Sequence, residues 1–425
     1  MSDHQPSTWT KTIIASMTSY IDAGSIVAGG AGLTLWGKYL ELSAFEKGLF
    51  GALGPNCVAA AIGALIGGWL CDRYGRKMVY TYDLVFYMLG MLLIVFAVNY
   101  PMLLGGYFIV GLSVGADVVA SWTLIAENAP AENRARHCGS AQVAWALGPA
   151  IVLLLSYLLG GLGLLGNRIV FGHLIVVAFI TWILRLRMPE SDNWIASKEK
   201  ERELVAQGVW VKPRMWDLFR GKNLRAILFL LGVYLVWNLP AGTWGFYMPY
   251  IFESVGRMKD DGSASGLVAL SFVVSCFATL IIFMGMADRF SRRMIFFVIS
   301  ALYVVAWGLF MLPASFMSIG LLVTFVVLAG VNNGSGQQAF YQLWSGELFP
   351  ARYRGSAQGF MFFAARTCLG VWVFLFPMIL EYCSMQLAAA ILTGFAAFSM
   401  LVGTIFAPDT ARKTLTQIEK ERYGE

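Results

Sequence analysis

The chain has 425 residues, 58% of them hydrophobic and only 13% charged, where a soluble domain carries about 25% charged residues. Mean hydropathy is +0.66, more apolar surface than a water-soluble protein of this length could hide, so the expected solvent is lipid. The net charge of +6 is spread over short loops without a basic patch interleaved with aromatics, which speaks against nucleic acid as a partner.

Six cysteines (Cys57, Cys71, Cys138, Cys276, Cys368, Cys383) form no C-x-x-C pair, and three histidines (His4, His137, His173) are scattered. That pattern is neither a disulfide framework nor a metal site, and no cofactor is expected. The N-terminus is polar, without the basic, apolar and cleavage regions of a signal peptide. The first apolar segment is therefore expected to stay as helix 1.

In chain order, twelve runs reach the ~20 apolar residues that cross a hydrocarbon core as a helix. They cover 11–36, 47–70, 79–98, 102–124, 139–160, 166–187, 224–252, 264–286, 294–312, 316–345, 357–381 and 385–407. The expected fold is all-α and integral to the membrane. A six-helix half over 1–187 precedes a linker over 188–223, a second six-helix half over 224–407 and a tail over 408–425. Within the linker, SDNWIASKEKERELVAQ reads as an amphipathic surface helix. With the N-terminus inside, 25 of the 31 Lys and Arg fall on the cytoplasmic side and five on the other, while Arg366 lies within a span. The positive-inside rule then places both termini in the cytoplasm.

The two halves repeat. DRYGRKMVY at 72–80 returns as DRFSRRMIF at 288–296, and Gly139-Ser140-Ala141-Gln142 returns as Gly355-Ser356-Ala357-Gln358. Glu127 and Pro130 return as Glu347 and Pro350. Three markers in one order imply two homologous halves, a plan common among transporters that rock about a central site.

Gly68-Trp69-Leu70-Cys71-Asp72-Arg73-Tyr74-Gly75-Arg76-Lys77 resembles the loop 2–3 signature of the major facilitator superfamily. Three further stretches are similar to sugar-porter motifs: Pro189-Glu190-Ser191-Asp192-Asn193-Trp194, Glu347-Leu348-Phe349-Pro350 with Arg354-Gly355, and Pro408-Asp409-Thr410-Ala411-Arg412-Lys413-Thr414-Leu415. Gly115-Ala116-Asp117 with Ser121-Trp122 and Glu127 looks like a bacterial branch that includes inositol-type carriers. The resemblance implies the major facilitator fold and alternating access. It also implies a proton symporter of a neutral monosaccharide or polyol, working as a monomer in a bacterial inner membrane. Two departures stand out. Sugar porters carry an arginine early in helix 4, where this chain has Tyr107, and their helix-7 glutamine motif is replaced by Val236-Trp237-Asn238-Leu239-Pro240-Ala241-Gly242.

An ionised group inside a span costs at least about 2.5 kcal/mol on insertion scales, so each is a functional candidate. Asp22 resembles the proton-coupling aspartate of sugar porters; its structural alternative is an acceptor for backbone near Gly24. Asp117 could share that proton site, serve as a polar contact, or pair with Arg366. Arg366 could balance Asp22 or Asp117, or clamp an anionic solute such as a sugar acid, which is the rival solute class. Gln142, Asn238, Asn333, Gln337 and Gln338 are candidate hydroxyl ligands, since an amide both donates and accepts. Amides also glue helices together. Trp145 could stack on a sugar face or simply pack. A conformational latch is expected from Asp72, Gly75, Arg76, Glu127 and Arg134 with Asp288, Arg292, Glu347 and Arg354. In it the aspartates meet helix N-termini and the glutamates pair with arginines.

Overall fold

The computed structural model describes residues 7–208, 215–254, 261–382 and 384–424; Cys383 lies outside them. The spanning helices are numbered here α1 to α12. In the first half they are α1 Thr8–Tyr39, α2 Val58–Tyr74, α3 Arg76–Val95, α4 Tyr100–Asn128, α5 Arg134–Leu158 and α6 Leu164–Leu186. In the second half they are α7 Gly221–Ser254, α8 Asp261–Ala278, α9 Arg292–Leu309, α10 Ile319–Ser335, α11 Arg354–Tyr382 and α12 Met385–Ile405. Ten helices are long and apolar enough to cross a membrane by length and composition among the described residues. The other two positions belong to α1, diluted by Thr, Ser, Tyr and Asp22, and to α2, which has only 17 residues.

Three expected spans are interrupted, each for a local reason. The run 47–70 divides into a short helix, Ala44–Ala52, and α2, because Gly54 and Pro55 fall between them. The short helix is opened by a capping box in which Ser43 and Glu46 exchange hydrogen bonds, satisfying two otherwise orphaned N–H groups. The run 316–345 breaks at Gly336, where α10 gives way to a second helix, Gln337–Leu348. After α8 a π turn, Thr279–Phe283, carries the chain to Met284–Met286. Thr279 Oγ1 donates there to Ser275 O at 2.8 Å and across to Gly334 O at 2.7 Å, tying α8 to α10. The linker helix forms as expected, over Asp192–Ala206, capped by Ser191.

Large apolar side chains face outward along the spans, among them Phe86, Phe179, Ile180, Phe277, Phe374 and Phe398. In water such a belt would be a liability; in lipid it is the expected exterior. Between the halves, α2 packs along α11 and α5 along α8. The first seam is unusually close. A Cβ on Gly68 would collide with Gly355 O, and one on Gly355 would stand 2.8 Å from Gly68 O. Only glycine lets these two backbones approach so nearly.

Candidate functional site

The repeated motifs meet at the end of the bundle that carries the short basic loops. On the first half, Asp72 ends α2 and Arg76 opens α3, with Gly75 between them at φ +104°. The Asp72 carboxylate reaches across to the other half. It accepts from Gly355 N at 3.0 Å and Ser356 N at 2.7 Å, the first turn of α11. Its counterpart Asp288 accepts from Ala135 N at 3.1 Å and Arg136 N at 2.9 Å, the first turn of α5. Each aspartate thus caps a helix of the opposite half, where free N–H groups and the helix dipole favour a negative charge.

The glutamates bridge in the same way. Arg76 grips Glu127 through Nη2 at 2.9 Å and Nε at 3.2 Å, and Arg354 of the other half reaches Glu127 Oε1 at 2.5 Å. Glu347 receives Arg292 of its own half at 3.0 Å and Arg134 of the opposite half at 3.0 Å. All six side chains are buried. A buried carboxylate with two guanidiniums has its charge met and its lone pairs used, which desolvation demands. Two flanking segments complete the assembly. In the linker, Glu190 accepts from Arg76 N and Lys77 N, and Trp194 Nε1 donates to Asp72 O. In the tail, Lys413 O accepts from Arg134 and Thr410 Oγ1 from Arg292. Beyond the spans, Tyr423 donates to Leu348 O and Asn223 Oδ1; burial pushes its phenol pKa up, so it remains a neutral donor.

Deeper between the halves the contacts become neutral. Gln142 Nε2 donates to Gln342 Oε1 at 3.5 Å, and Thr123 Oγ1 to Gln358 Oε1 at 3.3 Å. Trp122 sits edge-on to Tyr341 and Phe362. Beyond this layer lies Asp22, 3% exposed, with the Trp145 indole reaching its carboxyl and one oxygen, Oδ1, meeting no donor. Arg366 lies in the field of Asp22 without bonding it directly. Its Nη1 donates to Asn56 O at 3.3 Å and to Asn56 Oδ1, its plane covers Phe362 at 4.7 Å, and its Nε is unpartnered. Tyr107, at the position of the missing helix-4 arginine, stacks on Phe50 at 4.0 Å.

The amides divide into two groups. Gln337 belongs to a chain inside the second half: Trp237 Nε1 donates to Asn332 Oδ1 at 2.8 Å, and Asn332 Nδ2 to Gln337 Oε1 at 2.7 Å, across the Gly336 break. Asn238 is buried beside the Tyr234 hydroxyl. Asn333 and Gln338 make no side-chain hydrogen bond among the described residues, leaving their amides uncommitted. Gln342 and Gln358, absent from the sequence candidates, each leave Nε2 without a partner. Unsatisfied buried donors are rare in folded proteins. Several within one seam leave capacity for a ligand rich in hydroxyls.

Asp117 is the clear correction. Its partner is not Arg366 but Arg185, whose Nη1 donates to Asp117 Oδ1 at 2.8 Å. Arg185 counts as a loop charge in the sequence because it lies two residues from the end of the apolar run. The fold buries it completely in the last turn of α6, against Asp83 of α3. Asp83 was likewise missed among the intramembrane charges; an aspartate seven residues after a charged loop looks like its continuation.

The model of the sugar (and other) transporter family matches residues 54–421. The chain belongs to this family. It is 52% identical over 415 residues to the minor myo-inositol transporter IolF of Bacillus subtilis, covering 97% of this chain and 94% of that one. It is 24% identical to the major myo-inositol transporter IolT of the same organism over 90% of this chain and 86% of that one. Among solved structures it matches the proton:xylose symporter XylE bound to 6-bromo-6-deoxy-D-glucose. The TM-score is 0.81 at 19% identity, over 98% of this chain and 99% of that one. The fold is therefore that of the major facilitator superfamily, with twelve helices in two six-helix halves, and the protein is a membrane transporter rather than an enzyme.

Proposed function

We propose that this transporter is a proton-coupled symporter of a neutral cyclic polyol of the myo-inositol type. On this reading it works as a monomer in a bacterial inner membrane with both termini cytoplasmic. The observation that carries the reading is Asp22: a buried carboxyl with one oxygen unbonded, in the field of Arg366 from the other half. Similarity to IolF supports the solute class. Protonation of Asp22 and occupation of the seam by hydroxyls stabilise each other, and this linkage is what couples two fluxes.

Arg366 fits as the cation that steadies Asp22 in place of the arginine missing from helix 4. Gln142, Gln338, Asn238 and Asn333, with Trp145, supply the solute's polar and stacking contacts; Gln337 serves the Gly336 break. The basic end acts as the cytoplasmic latch. Its crossed pairs hold that side shut while solute enters from the other, and they part when the halves rock. The second reading, an anionic solute, rests on the unpartnered Nε of Arg366.

Counterflow in proteoliposomes with myo-inositol, glucose and glucuronate, for wild type and Arg366→Gln, tests both readings. We expect myo-inositol counterflow in wild type, with myo-inositol binding retained in the variant. Glucuronate transport alone, lost in Arg366→Gln, would overturn the neutral-solute reading in favour of the second.

A further inference from the structure

Inside the first half, away from the seam, three charged side chains are buried together. Asp83 of α3, Asp117 of α4 and Arg185 of α6 are 6%, 3% and 0% exposed. Arg185 Nη1 lies 2.8 Å from Asp117 Oδ1 and 3.8 Å from Asp83 Oδ1, and it also donates to Tyr80 O at 2.7 Å. Its Nη2 points at Thr18 and Ser121. The single guanidinium is thus spent on five oxygens. Two ionised carboxylates against one cation leave a net negative charge in a dry interior, which is prohibitively costly.

Three observations say how the charge is resolved. The carboxyl of Asp83 lies within hydrogen-bonding reach of that of Asp117, a contact that is attractive only with a proton between them. Asp83 Oδ2 meets no donor from any other group. Both aspartates line one narrow crevice with Thr18, Tyr87 and Ser113 that leaves no room for a water molecule. Carboxyl pairs in such settings titrate as a unit and retain one proton.

We propose that Asp83 and Asp117 share one proton and form a second protonation site, a way-station between Asp22 and the basic end of the molecule. The placement suits it. Thr18 is one helical turn from Asp22 on α1, and its hydroxyl meets Ser121 Oγ at 2.7 Å, which donates to Asp117 Oδ1 at 2.8 Å. Asp22 and Asp117 lie within each other's field. Toward the other end, Asp83 is seven residues from Arg76 and Asp117 ten from Glu127, about 10–15 Å at 1.5 Å per residue. The other titratable groups around the pair are Arg185 from α6, Tyr80 and Tyr87 from α3, Cys71 from α2 and Asp22 from α1. The direction of transfer rests on the proton-coupled reading of Asp22. The shared proton does not.

Infrared spectroscopy of purified protein carrying carbon-13 in the aspartate carboxyls reads the site directly. In Asp22→Asn at neutral pH we expect the band of a protonated aspartic acid to persist. It should disappear in Asp22→Asn/Asp83→Asn. Absence of the band from Asp22→Asn, where the pair is intact, overturns the shared proton. In proteoliposomes, Asp83→Asn should keep myo-inositol counterflow, because the amide mimics the protonated acid, yet lose at least about five-fold in uphill uptake. Uptake equal to wild type overturns the way-station. Uphill uptake by Asp22→Asn would instead end the coupling reading and leave the infrared result standing.

Discussion

At the basic end, the first half offers Asp72, Arg76 and Glu127 and the second half Asp288, Arg292 and Glu347, position for position. The carboxylate contacts that one set makes across the seam have counterparts made by the other; Arg76 adds one more, to Ala351 O at 2.8 Å. Deeper in, the halves diverge. The first buries Asp22, Asp83, Asp117 and Arg185, while the second offers Arg366 and a set of amides. The difference separates two demands. On the proposed reading, a latch that must close and part symmetrically tolerates little divergence between the repeats. On the same reading, the chemistry of proton and solute needs different groups, so the duplicated scaffold is free to specialise, with carboxylates in the first half and most of the amides in the second.

The largest expected effect comes from the charge buried within a single half. Arg185→Met strips the cation from two carboxylates, and removing one partner of a buried pair costs about 3–5 kcal/mol. Arg366→Met, on the other side of the comparison, loses bonds to Asn56 but no direct ion pair, and should cost less, about 1.5–3 kcal/mol. Thermal unfolding in detergent ranks the two. If Arg366→Met is the more damaging, the second half is not the less charge-dependent one. Adding Asp117→Asn to Arg185→Met should recover part of the loss, because the two sites couple.

Next comes function without loss of fold. Asp22→Asn should abolish uphill uptake of myo-inositol while counterflow continues, since exchange requires no net proton release. Amide-side variants in the second half, such as Gln338→Ala, should show the reverse pattern: weaker solute binding with coupling intact. Uptake ratios driven by an imposed pH gradient check both. A Gln338→Ala protein that binds normally but leaks protons would blur the division between halves.

The symmetric end makes a third and smaller prediction. Glu127→Gln and Glu347→Gln each weaken one crossed pair, and each should move the population toward an open basic end by a similar factor, roughly tenfold for ~1.4 kcal/mol. Labelling of a reporter cysteine at that end measures it. Strongly unequal responses would mean that the two glutamates carry different loads despite matching bonds.

The crossed contacts of the basic end were legible in the sequence because their residues are repeated: DRYGRK and DRFSRR mark the aspartate and arginine, and the two E-x-x-P motifs mark the glutamates. Twelve spans were equally legible from hydropathy. What the sequence hid was pairing in three dimensions. Arg185 lies close to the loop charges Arg187 and Lys198, and nothing in one dimension tells it from them; only the packing of α6 against α1 and α3 buries it. For the same reason Arg366 is the one cation the sequence offers Asp117 as a partner, beside a shared proton site or a polar contact, and Arg185 is not visible as one. Gln342 follows four other amides, Asn332, Asn333, Gln337 and Gln338, along the chain, and only the register of the seam shows that it and Gln358 face the other half. The breaks at Gly54-Pro55 and Gly336 were hidden in apolar runs whose hydropathy continues across them.

The smallest effect sharpens the comparison where the two loops are not identical. The first half turns from α2 to α3 through Gly75 at φ +104°; the second half reaches α9 through Ser291 at φ −60°, whose hydroxyl accepts from Met294 N. Gly75→Ala places a Cβ in left-handed backbone and against the Glu190 carboxylate, which caps Arg76 N and Lys77 N. A strain of about 1 kcal/mol is expected from the dihedral alone, with more from displacement of Glu190. Ser291→Ala removes an N-cap, typically worth ~1 kcal/mol, yet leaves the Asp288–Arg136 contact untouched. The two substitutions should therefore lower thermal stability by similar small amounts but differ at the latch. Gly75→Ala should raise cysteine accessibility at the basic end, because it shifts Glu190 and with it the Arg76–Glu127 pair. Ser291→Ala should leave accessibility unchanged. If Ser291→Ala opens the end as much as Gly75→Ala does, helix capping rather than the turn at Gly75 sets the geometry of the crossed pairs.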